Sequence, residues 1–292
     1  MANPDHWPND PEKERYRMKT VLMRMIGMAV LLSVSVSAQN PANMLTLQVD
    51  KAEHTISRHL YGHFAEHLGR CIYGGCWVGE NSAIPNVRGI RQDVVQALRD
   101  IAIPNLRWPG GCFASPYRWK DGIGPQHKRG PHPRNMWDDK EVNSFGTDEF
   151  IGLCRQVGAE PLIVVNIGTP NWNRDVLDND FLQEVLDWIE YCNGPADSKW
   201  GRVRAAHGHP EPFGVKYWEI DNETWHMGAE TYAEWVNRFA PAMRKADPSI
   251  KLAACGSAGY GDGGNGLAWN RVLIERCADK IDYLSIHHYE NP

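Results

Sequence analysis

Between residues 60 and 287 short strand-like runs alternate with stretches of helical period, and that rhythm restricts the chain to few architectures. Strands are expected near Leu60–Glu66, Asn105–Pro109, Pro161–Asn166, Lys216–Glu223, Ile250–Cys255 and Ile281–His287. Helices are expected near Gly89–Asp100, Asp148–Val157, Phe181–Cys192, Ala229–Lys245 and Trp269–Ala278. Thr147 precedes a first turn holding Asp148 and Glu149, and Pro248 stops the long helix near Ala246. Strict alternation implies a parallel sheet with helices packed outside it. A closed (β/α)₈ barrel needs eight such units and about six are legible, so we expect an α/β fold that is an incomplete barrel.

The N-terminal region reads differently. From Met18 come Lys19 and Arg24, then an apolar run from Ile26 to Val36 that ends in Val36–Ser37–Ala38, the pattern of a secretory signal peptide. Residues 18–38 are expected to be the signal proper and residues 1–17 to follow from a start codon placed too far upstream, the alternative being a single N-terminal anchor; the first reading predicts a secreted or periplasmic protein with no membrane segment in its mature form. Met44–Val49 alternates like an edge strand, and residues 43–58 are expected to supply a strand to a neighbouring sheet. Residues 59–292 form the expected barrel portion.

A formal net charge of -5 and a pI near 6.2 speak against a nucleic-acid partner, which leaves a basic footprint. Seven cysteines follow no regular framework, and the odd count leaves at least one unpaired within the chain. Cys154, Cys192, Cys255 and Cys277 sit in apolar patterns as small core residues, whereas Cys71 and Cys76 lie close enough to bridge in an oxidising compartment. The stretch from Cys112 to Gly146 has little periodicity but carries Trp119 and Trp137, and long loops in compact domains are often functional.

The chemistry is expected where strands end, because that rim of a parallel barrel is open while the strand bodies hold it rigid. Tyr217–Ile220 reads as a buried strand running into Asp221–Asn222–Glu223. A carboxylate there is partly desolvated, and burial raises its pKa and suits it to proton donation. The plainer reading of Asp–Asn–Glu is a turn. Arg107–Phe113 places a basic and an aromatic residue before a glycine pair that permits a tight bend, and no Lys–Ser/Thr follows to make it a phosphate loop. His63–His67 matches H-x-x-E-H, but zinc ligation needs that motif on a helix, and Gly62 and Gly69 flank a strand-like run. His287–His288–Tyr289 closes the last strand, so four strand ends carry polar or polarisable groups: Glu66, Cys112, Glu223 and this cluster.

With these stretches in hand, the chain resembles the α-L-arabinofuranosidases of glycoside hydrolase family fifty-one. The likeness rests on LYGHFAEHLGRCIYGGCWVG (60–79), NLRWPGGCFASPYRWKDGIGP (105–125), IEYCNGP (189–195), KYWEIDNE (216–223) and DYLSIHHYE (282–290), and it spans residue 43 to the end. It implies a TIM barrel with an accompanying β-sandwich, cleavage with retention of configuration, an arabinose-containing polysaccharide or oligosaccharide as substrate, and no cofactor or obligatory metal. Homo-oligomers are compatible with it. By the same resemblance Glu223 is the general acid/base and Asn222 binds the hydroxyl next to the anomeric carbon. Glu66, Cys112 and Tyr289 line the sugar pocket, with Trp119 shaping its wall.

One departure matters. A retaining glycosidase pairs two carboxylates about 5–5.5 Å apart, and the family's nucleophile is a Glu ending the seventh strand. We expect that residue to be missing from a chain that stops after six. Glu290 lies on the wrong strand, and Glu219, four positions back along an extended strand, lies about 13 Å from Glu223. Two rivals stay open: an endo-acting β-glucanase or xylanase of the same architecture, and an arabinoside-binding protein that performs no catalysis.

Overall fold

The computed structural model describes residues 48–51, 53–131, 137, 141–168, 181–259 and 266–289. The chain divides into two compact units, Met1–Thr55 and Ile56–Pro292. In the first, the described residues include a 3₁₀ turn at Val49–Lys51. The strand expected within 43–58, read over Met44–Val49, falls mostly on residues outside the described set, as does the whole of 1–38. Residues 53–57 take no regular structure and Arg58–Tyr61 is a second 3₁₀ turn.

The second unit opens with a two-residue strand, β1 (His63–Phe64), followed by a hairpin of β2 (Asn86–Val87) and β3 (Ile90–Arg91) and by helix α1 (Gln92–Asp100). Strand β4 (Asn105–Trp108), helix α2 (Thr147–Val157) and strand β5 (Glu160–Val165) come next. Helices α3 (Phe181–Asn193) and α4 (Lys199–Ala206) precede β6 (Tyr217–Ile220), then α5 (Ala229–Ala246), β7 (Lys251–Cys255), α6 (Gly266–Cys277) and β8 (Tyr283–Ser285). Six strands form one parallel sheet in the order β1–β4–β5–β6–β7–β8, each beside its predecessor, with helices between them. This is an incomplete (β/α)₈ barrel, as the alternation implied.

Two elements went unforeseen. Helix α4 has a weak apolar stripe and is started by Ser198, whose side chain accepts the Gly201 N–H at 3.1 Å. The β2–β3 hairpin holds two pairs of residues, below the length at which alternation can be read. Helix α2 begins one residue earlier than expected. Gly146 is its cap, with its N–H bonded to the Glu149 carboxylate at 2.9 Å, while the Thr147 hydroxyl is turned to the Trp188 indole at 3.0 Å.

The core lies between sheet and helices. Trp108 and Trp218 are fully buried; Trp108 stacks on Phe150 of α2 and meets Trp188 of α3 edge-on. Trp119 belongs to this layer. It is 2% exposed, stacks on Trp188 at 5.7 Å and donates its indole N–H to Glu184 O at 3.0 Å. The placement corrects the expectation that it shapes the pocket wall. Period-two alternation explains the division: along β4 and β6 the apolar Leu106, Trp108, Trp218 and Ile220 are packed in the core, while Arg107 and Glu219 reach the other face and each other.

Candidate active site

The site is built at the C-terminal ends of β1, β4, β6 and β8. Past β1 the chain stays paired with β4, since Ala65 N donates to Arg107 O at 2.8 Å and His67 N to Pro109 O at 3.2 Å. That extension carries Glu66 to the rim. Glu66 is 7% exposed, and its Oε1 accepts the Phe113 N–H at 3.1 Å and the Trp137 indole N–H at 3.0 Å. Gly110, at φ +155°, leaves it room: a Cβ there would stand 2.4 Å from Glu66 Cγ.

The end of β6 turns sharply. Asp221 (φ 58°) and Glu223 (φ 48°) both adopt left-handed backbone, which costs a side-chain-bearing residue about 1–3 kcal/mol unless its surroundings impose it. They do so here. Fully buried Asp221 accepts from Ser115 Oγ (2.6 Å), Ile167 N (3.3 Å) and Asn222 N (2.8 Å). Glu223 N donates to Cys255 Sγ at 3.1 Å. The Asp–Asn–Glu segment is therefore a turn, as its composition said, and the turn is what sets Asn222 and Glu223 at the rim.

Around Glu223 the ends of β4, β6 and β8 meet. Its Oε1 lies 2.9 Å from His287 Nδ1 and accepts the Tyr289 hydroxyl at 2.9 Å, while Oε2 accepts the Cys112 thiol at 3.5 Å. Cys112 in turn receives the Asn222 amide N–H at 3.7 Å. Burial pushes the thiol up to about 12, helped by the facing Glu223 carboxylate, so Cys112 acts here as a weak, neutral donor. Burial by itself would raise the pKa of Glu223, but the bonds from His287, Tyr289 and Cys112 favour the anion and leave it below the usual carboxylate range. This corrects the raised pKa expected from a strand-end position: desolvation is present, and donors outweigh it.

Sequence reading named Arg107, Asp221 and His287 but missed the support that each one gives. Arg107 bonds Glu219, Gly110 O and Asn222 together. Asp221 pins the turn. His287 bonds Glu223 and packs edge-on against Trp225 at 6.0 Å. The signal for the first was available, since opposite charges at inward positions of otherwise apolar strands must find each other. The H-x-x-E-H motif proves structural in its last residue. His67 is buried, accepts the Trp108 indole N–H at Nε2 (3.0 Å) and sets Nδ1 3.1 Å from Glu141, so both ring nitrogens are engaged within the protein. Its first His lies on strand β1 and is exposed. All seven cysteines are free thiols, Cys71 and Cys76 included. Cys154, Cys192, Cys255 and Cys277 are buried as expected. Glu290 lies outside the described residues.

A half-buried carboxylate contacted by a hydroxyl, a thiol and an imidazole sits at the C-terminal rim of a parallel (β/α) sheet, where barrel enzymes of this architecture carry their reactive groups. The sequence model of the α-L-arabinofuranosidase 1 domain matches residues 97–292, and the chain belongs to the α-L-arabinofuranosidases of glycoside hydrolase family 51. It is 40% identical over 264 residues to the intracellular exo-α-L-arabinofuranosidase of Bacteroides ovatus, covering 88% of this chain and 48% of that protein. It is 39% identical to the probable α-L-arabinofuranosidase C of Aspergillus niger, covering 80% and 46%. Among solved structures, the α-L-arabinofuranosidase of Thermotoga maritima in its arabinose complex superposes with a TM-score of 0.70 at 44% identity, over 80% of this chain and 46% of that one. The family 51 arabinofuranosidase of Xanthomonas axonopodis pv. citri gives 0.73 at 38% identity, over 82% and 47%. The chain spans about half the length of the relatives it matches. The secreted or periplasmic location expected from residues 18–38 is corrected by this comparison, because the Bacteroides ovatus relative is named intracellular, which points away from export.

Proposed function

We propose that this chain carries the substrate pocket and the acid/base carboxylate of a retaining, exo-acting α-L-arabinofuranosidase that removes terminal arabinofuranosyl groups from hemicellulose or pectin side chains. The observation that carries the reading is the meeting of Cys112, Asn222 and Tyr289 at the half-buried Glu223 carboxylate, with Glu66 held at the same rim by the Phe113 N–H.

Glu223 is the general acid/base. Asn222 meets the hydroxyl next to the anomeric carbon, and Glu66, Cys112 and Tyr289 hold the rest of the ring. The nucleophile is a second carboxylate supplied from outside these 292 residues, in keeping with relatives about twice as long. Its negative charge, about 5–5.5 Å from Glu223, would raise the Glu223 pKa by like-charge repulsion and supply the protonated form that donation to the leaving oxygen requires. Once the glycosyl–enzyme ester has formed, that charge is gone. Glu223 then falls back toward the low pKa its three donors impose, and as the anion it takes a proton from the incoming water.

Calorimetric titration tests the pocket. The 292-residue chain is expected to bind 4-nitrophenyl 1-thio-α-L-arabinofuranoside saturably and the 1-thio-β-D-xylopyranoside at least tenfold more weakly. Equal affinity for both, or no binding of either, would overturn the assignment.

A further inference from the structure

We propose that the buried Glu219–Arg107 ion pair is a positioning device that sets the carboxamide of Asn222, so that its N–H group and not its carbonyl faces the sugar pocket. This rests on the pocket being an arabinofuranoside site in which Asn222 meets the hydroxyl next to the anomeric carbon.

Arg107 spends its donors in three directions: Nε to Glu219 Oε2 at 2.5 Å, Nη1 to Gly110 O at 2.9 Å and Nη2 to Asn222 Oδ1 at 2.8 Å. A guanidinium accepts nothing, so only the oxygen of the asparagine can face it. The amide nitrogen is thereby turned away, toward Cys112 Sγ at 3.7 Å on the pocket side. A flipped carboxamide would set N–H against N–H beside a positive charge. The backbone of Asn222 is fixed separately by Asp221, so the guanidinium governs the remaining freedom of the side chain.

Glu219 in turn holds the guanidinium. The pair joins two strands, β4 and β6, that lie on either side of β5, with side chains 12% and 1% exposed. Stability alone does not account for it. Burying two charges forfeits hydration that their attraction scarcely restores, and Glu219 Oε1 has no hydrogen-bond partner among the described residues. An apolar pair of similar volume would fill the space as well. It would leave the Asn222 amide free to rotate, and with it the distinction between a sugar that carries the neighbouring hydroxyl and one that lacks it.

Glu219→Gln keeps the shape and a hydrogen bond to Arg107 Nε while removing the charge, and Arg107→Met removes the guanidinium. Two readouts are taken on the 292-residue chain. The first is the side-chain amide resonance pair of Asn222, assigned by its loss in Asn222→Ala. The second is the affinity ratio between 4-nitrophenyl 1-thio-α-L-arabinofuranoside and its 2-deoxy counterpart. In the wild-type chain the ratio is expected near tenfold, the size of one net hydrogen bond. It should fall to about twofold or less in both variants, with affinity for the 2-deoxy ligand unchanged and the Asn222 amide pair shifted or merged. Glu219→Gln combined with Asn222→Ala should add nothing to Asn222→Ala alone. Unaltered Asn222 resonances in folded variants would overturn the proposal, as would equal weakening of both ligands. If the wild-type chain binds neither ligand, the functional reading fails, and the amide resonances still decide whether Glu219 and Arg107 orient Asn222.

Discussion

The Tyr289 hydroxyl donates to Glu223 Oε1 across 2.9 Å and so ties the segment after β8 to the turn after β6. The residues are 66 positions apart in the chain, and Tyr289 remains 53% exposed while the Glu223 side chain is only 16% exposed. A phenol reaching inward from solvent to a shielded carboxylate does two things: it stabilises the anion, and it presents one edge of a pocket to whatever enters.

Removing the donors should therefore raise the Glu223 pKa. In wild type the bonds from His287, Tyr289 and Cys112 outweigh burial. Tyr289→Phe and His287→Ala are each expected to move the titration of the Glu223 carboxyl carbon upward, and the double variant to move it furthest. A downward or absent shift would mean that the donors do not control this group.

The sign for stability follows from the same shift. A carboxylate whose folded pKa lies below its unfolded value stabilises the fold at pH above the unfolded value, and this contribution fades as pH falls through the folded pKa. The urea midpoint difference between wild type and Glu223→Gln should accordingly shrink on acidification below about pH 4, near the ordinary glutamate range. A difference that grew on acidification would show that Glu223 is held protonated in the fold.

Gly110→Ala should displace Glu66. Its new Cβ would fall 2.4 Å from Glu66 Cγ and 2.9 Å from Glu66 Cβ, on backbone at φ +155°. A loss of about 1–3 kcal/mol in chemical denaturation is expected from overpacking and strain. A second consequence is lost protection of the Phe113 amide, which bonds Glu66 Oε1. Unchanged exchange at Phe113 would mean that Glu66 is not seated by this glycine.

Trp119→Ala should cost stability without altering ligand preference. The ring is buried between Trp188 and Trp200, and truncating a buried aromatic costs about 3–5 kcal/mol. Where the variant still folds, below room temperature if necessary, its arabinofuranoside-to-xylopyranoside affinity ratio should match wild type. A collapsed ratio would return Trp119 to the pocket wall.

The rim was legible in the sequence because parallel strands put polar residues at their C-terminal ends and little else does so repeatedly. Glu66, Cys112, Asn222, Glu223 and Tyr289 could all be named on that ground or by resemblance, and the structure brings them together. What stayed hidden depends on side chains meeting across the sheet. Arg107 and Glu219 lie 112 positions apart, and only the facing of β4 and β6 across the open side of the sheet shows that they pair. The pKa of Glu223 was misjudged for a similar reason: burial can be guessed from a strand end, whereas donors arriving from β8 and from the Gly110–Gly111 bend cannot. Trp119 was misplaced because a tryptophan in a long loop looks exposed, and here a 3₁₀ turn at Trp119–Gly122 folds it back onto α3.

The most direct test supplies the reaction with an external nucleophile. The 292-residue chain is incubated with 4-nitrophenyl α-L-arabinofuranoside and sodium azide, and the sugar product is identified by NMR. Azide should attack the anomeric carbon from the face opposite the departing nitrophenolate, giving β-L-arabinofuranosyl azide at a rate that saturates with substrate and falls at least tenfold in Glu66→Ala and Asn222→Ala. If the chain binds the substrate but forms no azide adduct above the uncatalysed background, the pocket around Glu223 does not activate an arabinofuranosyl bond, and the assignment of this site to glycoside cleavage is contradicted.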